Sequence, residues 1–381
     1  MRLLHLSDLH LGRRLCEADL FEDQKYILDQ IVSIALSEGV QGVLVAGDVY
    51  DKGVPGVGAV NLWDHFLTAL CENHLPVWAI SGNHDSAERL AFGGRLLERS
   101  GVHLASVFSG RMERFDTRDE HGPLTIWALP FVRPAAVRAF LPDETIENYT
   151  DAAAALVRAA ALVRAAAPDA GGRNILIAHQ FVTAGAACPA ASGSELLNLG
   201  TLDNVDASAF DLFDYVALGH IHAAQQVGRE EVRYCGSPLA YSVSEALGQK
   251  SVTVVDVGPK GQVSTKQVPL SPLRPLRRVQ GPLEALLQSA VPSNDYIYAR
   301  LTDKTPPLDP AARLRSVYPN LVRLEFVLPD APAADVPALR EIAMRTPRQL
   351  FEEFYQSVHG RELDDEEKAF LDDVLGEEAE G

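Results

Sequence analysis

Five times in the first 222 residues, a short apolar run stops at a motif built from Asp, Asn or His. Residues 2–6 (Arg-Leu-Leu-His-Leu) lead to Asp8-Leu9-His10, and Val43-Leu44-Val45-Ala46 leads to Gly47-Asp48-Val49-Tyr50-Asp51. Val77-Trp78-Ala79-Ile80 leads to Gly82-Asn83-His84-Asp85, Ile175-Leu176-Ile177-Ala178 to His179, and Val216-Ala217-Leu218 to Gly219-His220-Ile221-His222. Continuous apolar runs this short read as strands buried on both faces. Helical periodicity fills the first two gaps: over 22–38 it puts Ile27, Leu28, Ile31, Ile34 and Ala35 on one face, and a second helix is predicted over 57–73. A β-α-β-α-β opening demands an α/β fold with an extended sheet inside. In such sheets ligands bind beyond the carboxyl ends of the strands, and all five motifs sit at such ends.

The residue types in these motifs are those that divalent metals require. Asp supplies an anionic oxygen, Asn a neutral amide oxygen and His a neutral nitrogen; a mixed oxygen and nitrogen set without thiolate suits manganese, iron or zinc better than calcium. Asp8 and His10 are two residues apart, as are His220 and His222, so on extended backbone each pair points to one side. The glycines before Asp48, Asn83 and His220 permit tight turns that bring backbone close to an ion. Taken alone, each motif has a plain structural reading. A solitary His179 is more often a satisfied core residue than a ligand, Gly-Asp is often only a turn, and His84 can be a structural residue. The ordered set of five, each behind a strand, outweighs these readings.

Further strands are predicted at 124–128, 174–178, 215–218, 232–235 and 251–257, the later ones paired as hairpins, which makes the sheets mixed. The alanine-rich segment 151–167 is a surface helix. At 381 residues the chain has room for two or three domains. Pro272, Pro275 and Pro282, with Arg274, Arg277 and Arg278 between them, mark a boundary near 270. A small α+β unit follows, with helices at 283–290 and 309–317 and strands at 296–301 and 321–327. After a linker at 331–337, two helices close the chain. The first carries Leu350, Phe351, Phe354 and Tyr355, and the second Phe370, Leu371 and Val374.

The cysteines Cys16, Cys71, Cys188 and Cys235 are scattered without a paired motif, which argues against a disulfide framework and a thiolate zinc site and fits a reducing cytoplasm. Neither a signal peptide nor a membrane span is expected. The net charge of −18 is the awkward feature, because a nucleic-acid binder should present a basic surface. It predicts weak DNA affinity for the isolated chain. Arg13, Arg14, Lys52 and Arg89, beside the motifs, are candidates to meet phosphates, though plain surface solvation explains each equally well.

The five motifs resemble the signature of the calcineurin-like metallophosphoesterases, D-x-H, G-D-x-x-D, G-N-H-[DE], H and G-H-x-H, with no ligand missing. Within that superfamily, Leu4 to Gly12, Val45 to Asp51, Arg233-Tyr234-Cys235-Gly236-Ser237-Pro238 and Phe351-Glu352-Glu353-Phe354-Tyr355 are similar to the SbcD family of nuclease subunits. The resemblance implies a two-sheet metallophosphoesterase sandwich flanked by helices over 1–270, a small α+β capping domain over 271–340, and partner-binding helices over 341–381. It implies one metal held by Asp8, His10, Asp48 and His222, and another by Asp48, Asn83, His179 and His220. These would be two Mn2+, with Mg2+ as the alternative. His84 would face the substrate as general acid, oriented by a hydrogen bond from Asp85. The implied activity is metal-dependent DNA cleavage, as a 3′–5′ duplex exonuclease and single-strand or hairpin endonuclease in DNA repair, recombination and replication. It would be ATP-dependent through an SbcC-type ATPase, with homodimerisation through the 57–73 helix. A small-molecule phosphodiesterase or phosphatase of the same fold, and a scaffold that has lost the chemistry, are the competing readings. The hundred residues after 270 count against the first and the complete ligand set against the second.

Overall fold

The structure, a computed structural model, describes residues 1–166, 171–185, 189–190 and 204–327, and beyond these 351–352, 355–356, 361–364, 367–368 and 371. The chain divides into Met1–Val327 and Leu328–Gly381. In the first unit the main elements are β1 (Arg2–Leu6), α1 (Phe21–Ser37), β2 (Val43–Ala46), α2 (Val57–Glu72), β3 (Val77–Ile80), β4 (Val102–Ala105), β5 (Glu113–Asp119), β6 (Gly122–Leu129), α3 (Tyr149–Ala165), β7 (Arg173–His179), β8 (Tyr215–Gly219), β9 (Gln225–Val227), β10 (Arg229–Tyr234), β11 (Ser251–Val257) and β12 (Val263–Pro269). They are followed by β13 (Leu276–Gly281), α4 (Leu283–Gln288), β14 (Tyr296–Leu301), α5 (Pro310–Arg315) and β15 (Leu321–Phe326).

Two six-stranded mixed sheets lie face to face, in the orders β12-β11-β1-β2-β3-β4 and β9-β10-β8-β7-β6-β5. The strands that carry the motifs are apolar on both faces because both faces are covered. On β2, Leu44 and Ala46 point into the layer between the sheets, where they meet Ile126, Ile175, Ile177 and Ala217 of the other sheet. Val43 and Val45 point the other way, onto Ile27, Ile31, Leu62 and Phe66 of α1 and α2. The second sheet repeats this pattern, with Ile175 and Ile177 inward and Leu176 and Ala178 outward against Ala152, Leu156 and Ala160 of α3. The result is the expected sandwich flanked by helices. Helix α3, expected to be a surface helix, buries one full face and is started by a capping box in which Asn148 Oδ1 accepts from the Asp151 amide at 2.9 Å.

Strands β13, β14 and β15 form a separate three-stranded parallel sheet. Helices α4 and α5 cover one face of it through Leu283, Leu286, Ile297, Ala299, Leu301 and Leu314. Strand β13 falls on the Pro- and Arg-rich stretch read as a boundary: Arg277 and Arg278 face outward while Val279 packs against that core. This small sheet is tied to α1 by a buried carboxylate. Asp23 accepts from Tyr296 Oη at 2.9 Å and pairs with Arg274 at 3.0 Å.

In the second unit, residues 351–352, 355–356, 367–368 and 371 are helical, and Arg361 and Tyr355 both donate to Glu367, at 2.6 and 2.5 Å. The expected linker at 331–337 and the positions Leu350, Phe354, Phe370 and Val374 lie outside the described residues. Among the described residues no helix is long and apolar enough to cross a membrane.

Candidate metal centre

All five motifs converge at one end of the sandwich. Asp8, Asp48 and Asn83 follow β1, β2 and β3 of the first sheet, while His179 ends β7 and His220 follows β8 in the second. The backbone there is strained. Asp8 (φ 53°), His10 (43°), Asp48 (51°) and His220 (99°) all occupy the left-handed region, which costs a residue with a side chain about 1–3 kcal/mol and clusters at functional sites. Hydrogen bonds between the loops hold it. The Asp8 amide donates to Gly47 O at 3.0 Å and the His10 amide to Asp48 O at 2.9 Å. Side chains also take part, since Asp48 Oδ1 accepts from the His84 amide at 2.9 Å and Asp8 Oδ1 from the His220 amide at 3.0 Å. Two of the motif glycines are required by this approach. A Cβ on Gly82 would lie 2.0 Å from Asp48 Oδ1, and one on Gly219 would lie 2.0 Å from Ala46 O.

The seven donor residues expected from the motifs are brought together. Asp48 Oδ2 stands between two imidazoles, 3.6 Å from His10 Nε2 and 3.4 Å from His179 Nε2. On one side His10 Nε2 is 3.1 Å from His222 Nε2. On the other, Asn83 Oδ1 is 3.0 Å from His179 Nε2 and 2.9 Å from His220 Nδ1. The groups Asp8–His10–His222, Asp8–Asp48–His179 and His10–Asp48–His84 each have their donor atoms within 4.8 Å of one another. Two metal–ligand bonds of about 2.1 Å meeting at a right angle separate their donors by about 3.0 Å, so this spacing is that of a coordination shell. The centre binds divalent metal on the strength of this donor set.

The electrostatics mark where a cation's charge belongs. Burial opposes the charge on His179, but Asp48 outweighs it and raises that ring to about 9, so a metal bound there must displace a proton. Burial pushes His10 well below the usual histidine range and His220 down to about 3, so both rings are neutral and keep a lone pair. Burial opposes the charge on Asp48, but His179 and then His10 hold its carboxyl well below the usual range. Burial raises Asp8, against the pull of His179 and His222. Oxygens of Asp8, Asp48 and Asn83 facing four largely buried imidazoles form an arrangement that a cation completes.

His84 is half-buried, with its ring edge-on to His10 at 4.8 Å between centroids. The hydrogen bond expected from Asp85 is not formed. His84 Nδ1 donates instead to the backbone carbonyl of Asp51 at 3.0 Å. Asp85 serves the backbone: Oδ1 accepts from the Tyr50 amide at 2.8 Å, and Oδ2 from the amides of Val49 and Gly82 at 3.1 and 2.9 Å. The physical reason is that two converging loops leave three amides pointing at one spot, and a carboxylate satisfies them better than one imidazole would. The positive candidates also divide. Arg13 is drawn inward, with Nη1 3.1 Å from Asp51 Oδ1, and Arg14 donates to the carbonyl of Glu17. Lys52 and Arg89 are exposed.

Several supporting residues lie outside the expected ligand set. Asp51 Oδ1 lies 3.8 Å from His10 Nδ1. Gln24 donates to the His10 carbonyl at 2.8 Å, and the Tyr241 ring stands against both His10 and His222. Glu245 lies 3.7 Å from His222 Nδ1. The second Asp of Gly47-Asp48-Val49-Tyr50-Asp51 was a signal for Asp51. Nothing in the local sequence points to the other three.

A family model described as calcineurin-like phosphoesterase matches residues 1–224, and the chain belongs to that family of phosphoester hydrolases. A second model, described as type 5 capsule protein repressor C-terminal domain, matches residues 272–359. The D subunit of the SbcCD nuclease of Staphylococcus epidermidis is 31% identical over 367 residues, covering 95% of each chain, which makes this chain a member of the SbcD family. Two solved structures are also similar. TT1561 of Thermus thermophilus overlaps at TM-score 0.38 with 13% identity, covering 70% of this chain and 98% of that one. A dimetal phosphatase from Danio rerio overlaps at TM-score 0.38 with 11% identity, covering 71% and 99%. Overlap this low carries no argument.

Proposed function

We propose that this chain is a two-metal DNA nuclease subunit, hydrolysing phosphodiester bonds in concert with an SbcC-type ATPase. The observation that carries the reading is the position of Asp48 Oδ2 between His10 and His179, which suits a carboxylate shared by two ions. Asp8, His10, Asp48 and His222 would hold one, and Asp48, Asn83, His179 and His220 the other. Four imidazoles among the donors favour Mn2+ over Mg2+, which prefers oxygen. Bound there, a pair of divalent cations supplies charge neutralisation for the phosphodiester and acidifies the attacking water.

The chain's own residues do the rest. The Asp51 carbonyl accepts from His84 Nδ1–H, which keeps Nε2 free for the substrate; with both nitrogens protonated, the imidazolium would give its Nε2 proton to the departing 3′ oxygen and become neutral. Asp85 keeps the two loops in register. DNA as substrate and the ATPase as partner rest on the named relative, the D subunit of the SbcCD nuclease. The 3′–5′ duplex exonuclease and hairpin endonuclease polarity is part of the same reading, as is a role in repair, recombination and replication. Residues 1–270 would be the nuclease domain, 271–340 the cap that orients the duplex, and 341–381 the helices that meet the ATPase, whose basic surface would offset the −18 charge. Lys52 and Arg89 remain the better phosphate contacts, because they are exposed while Arg13 is engaged. Homodimerisation through α2 is supported by a groove between Trp63, Leu67, Leu90 and Leu97, rimmed by exposed Val60 and Phe92. The free thiols of Cys16, Cys71 and Cys235 support a cytoplasmic setting.

The test is cleavage of linear duplex, hairpin DNA and a chromogenic phosphodiester with Mn2+, with and without the ATPase and ATP. Wild type should cut DNA. His84→Ser should lose about 10²–10⁴-fold in turnover while retaining both ions. A protein that cleaves only the small ester has another substrate.

A further inference from the structure

Of the four imidazoles at the centre, His222 is the one whose outer nitrogen faces a buried carboxylate. Its Nε2 is turned toward His10 Nε2 at 3.1 Å. Its Nδ1 lies 3.7 Å from Glu245 Oε1, and both side chains are 2% exposed. The other rings differ. His179 Nδ1 meets the neutral carbonyl of Ala46 at 2.8 Å. His220 turns its Nδ1 inward, to Asn83. His10 Nδ1 has no hydrogen-bond partner among the described residues, and the nearest carboxylate, Asp51, is 3.8 Å away.

Glu245 does not stand alone. It ends a single 3-10 turn, Val243–Glu245, started by the Ser242 side chain. Its Oε2 is 2.5 Å from Lys250 Nζ. The same ammonium donates to the His222 carbonyl at 3.0 Å and to Ser237 Oγ at 2.8 Å. Lys250 thus grips both the carboxylate behind the His222 ring and the backbone that carries the ring, and the Ser237 amide adds a second donor to that carbonyl at 3.2 Å. An ion pair taken this far out of water is poor value as a source of stability, since well-packed apolar groups do as well. At 3.7 Å the carboxylate faces Nδ1 as a charge, and a carboxylate so placed favours the tautomer with the proton on Nδ1 and the lone pair on Nε2 and raises the basicity of Nε2.

We infer that Glu245 is a positioning residue for His222, held in place by Lys250, and that the pair sets metal affinity on the Asp8–His10–His222 side of the centre and not on the His179–His220 side. The inference rests on the two-metal reading above. Its one-sidedness follows from placement, because Asn83, His179 and His220 make none of these contacts and are backed by backbone and by each other.

The experiment is titration of the full, metal-free chain with Mn2+ alone, read by calorimetry and by electron paramagnetic resonance. The variants are Glu245→Gln, Glu245→Gln/Lys250→Met and His222→Ala. The double variant removes both charges, so no buried ammonium is left unpaired. Wild type should take two ions and give the signal of a coupled pair, and His222→Ala should lose one ion. Both Glu245 variants should bind one ion with unchanged affinity and the other about 10–100-fold more weakly. Over the intermediate range of Mn2+ they should show a single uncoupled ion. If both affinities stay at the wild-type value, or both fall together with the melting temperature in the double variant, Glu245 supports the fold only and the inference is overturned while the two-metal reading stands. If wild type takes fewer than two ions, the two-metal reading fails and this inference goes with it; if His222→Ala keeps both at wild-type affinity, His222 is no ligand and this inference is overturned while the two-metal reading stands.

Discussion

Asp85→Asn exchanges a carboxylate for an amide of the same shape, at a point where shape matters less than lone pairs. The carboxylate closes the two loops that carry Asp48 and Asn83 by accepting three amides, Tyr50 on Oδ1 and Val49 and Gly82 on Oδ2. An asparagine offers one oxygen. Facing Val49 and Gly82 with that oxygen turns its NH2 toward the Tyr50 amide, donor against donor, and the opposite flip faces it against two donors. The better flip loses one charge-assisted hydrogen bond, about 1.5–3 kcal/mol, and leaves a shielded N–H unsatisfied, about 1–3 kcal/mol. These two costs overlap, and burial together with the Asp48 charge raises the Asp85 carboxyl to about 6, so the amide also relieves part of the cost of a buried charge; the net loss is about 1–3 kcal/mol. Urea unfolding in the presence of a chelator measures it without metal linkage. Tryptophan fluorescence reports on this part of the chain, since Trp63, Trp78 and Trp127 all lie within Met1–Val327. The midpoint should fall with the slope unchanged. A shift equivalent to less than about 0.5 kcal/mol, the usual range for a neutral surface change, would refute the claim that this carboxylate braces the loops.

Gly82→Ala should cost at least about 1–3 kcal/mol from overpacking and displace Asp48, because the new Cβ would lie 2.0 Å from its Oδ1; metal content after gel filtration should drop below that of wild type. Arg173→Met, which strips the buried partner 2.5 Å from Asp119, should destabilise the protein by about 3–5 kcal/mol near neutral pH. Burial opposes the Asp119 charge, but Arg173 outweighs it and holds the carboxyl below its usual range. The stability it lends is therefore complete above the unfolded value near about 4 and is lost as pH falls through the lower folded one, so wild-type and variant unfolding curves should converge in acid. Mn2+ at about 100 times its dissociation constant should raise unfolding free energy by about 2.7 kcal/mol per site, and a thermal scan unmoved by Mn2+ or by its removal would count against binding at the centre.

The metal donors were legible because each stands at or just behind the end of a strand that is mostly apolar. The run Val43 to Ala46 is apolar since Leu44 and Ala46 meet the other sheet while Val43 and Val45 meet helices. That continuity both marks the strand and locates its end. Strands β5 and β12 were harder to see. Each is an edge strand of its sheet, and Glu113–Asp119 alternates charged residues with one aromatic, a pattern that reads equally well as a loop. The role of Asp85 was misassigned because sequence adjacency to His84 says nothing about where backbone amides point. Gln24, Tyr241 and Glu245 were invisible for a related reason. Only the packing of the two sheets brings Tyr241 within 5.6 Å of His10, while Gln24 and Glu245 reach His10 and His222 from nearer in the chain with no motif to mark them.

The oxygen donors Asp8, Asp48 and Asn83 belong to one sheet and the nitrogen donors His179, His220 and His222 to the other, with His10 reaching across to His222. Neither leaf of the sandwich can complete the ligand set. An ion held there would act as a rivet through the seam, and prising the leaves apart by heat or denaturant would release it in the same event. On the ribosome, residues 1–105 bring out β1 to β4, but β11 and β12 of the same sheet follow only after His222, so the oxygen and nitrogen donors fall into place together. A shortened product ending before that point is therefore denied the means to cut DNA, whatever else it has folded.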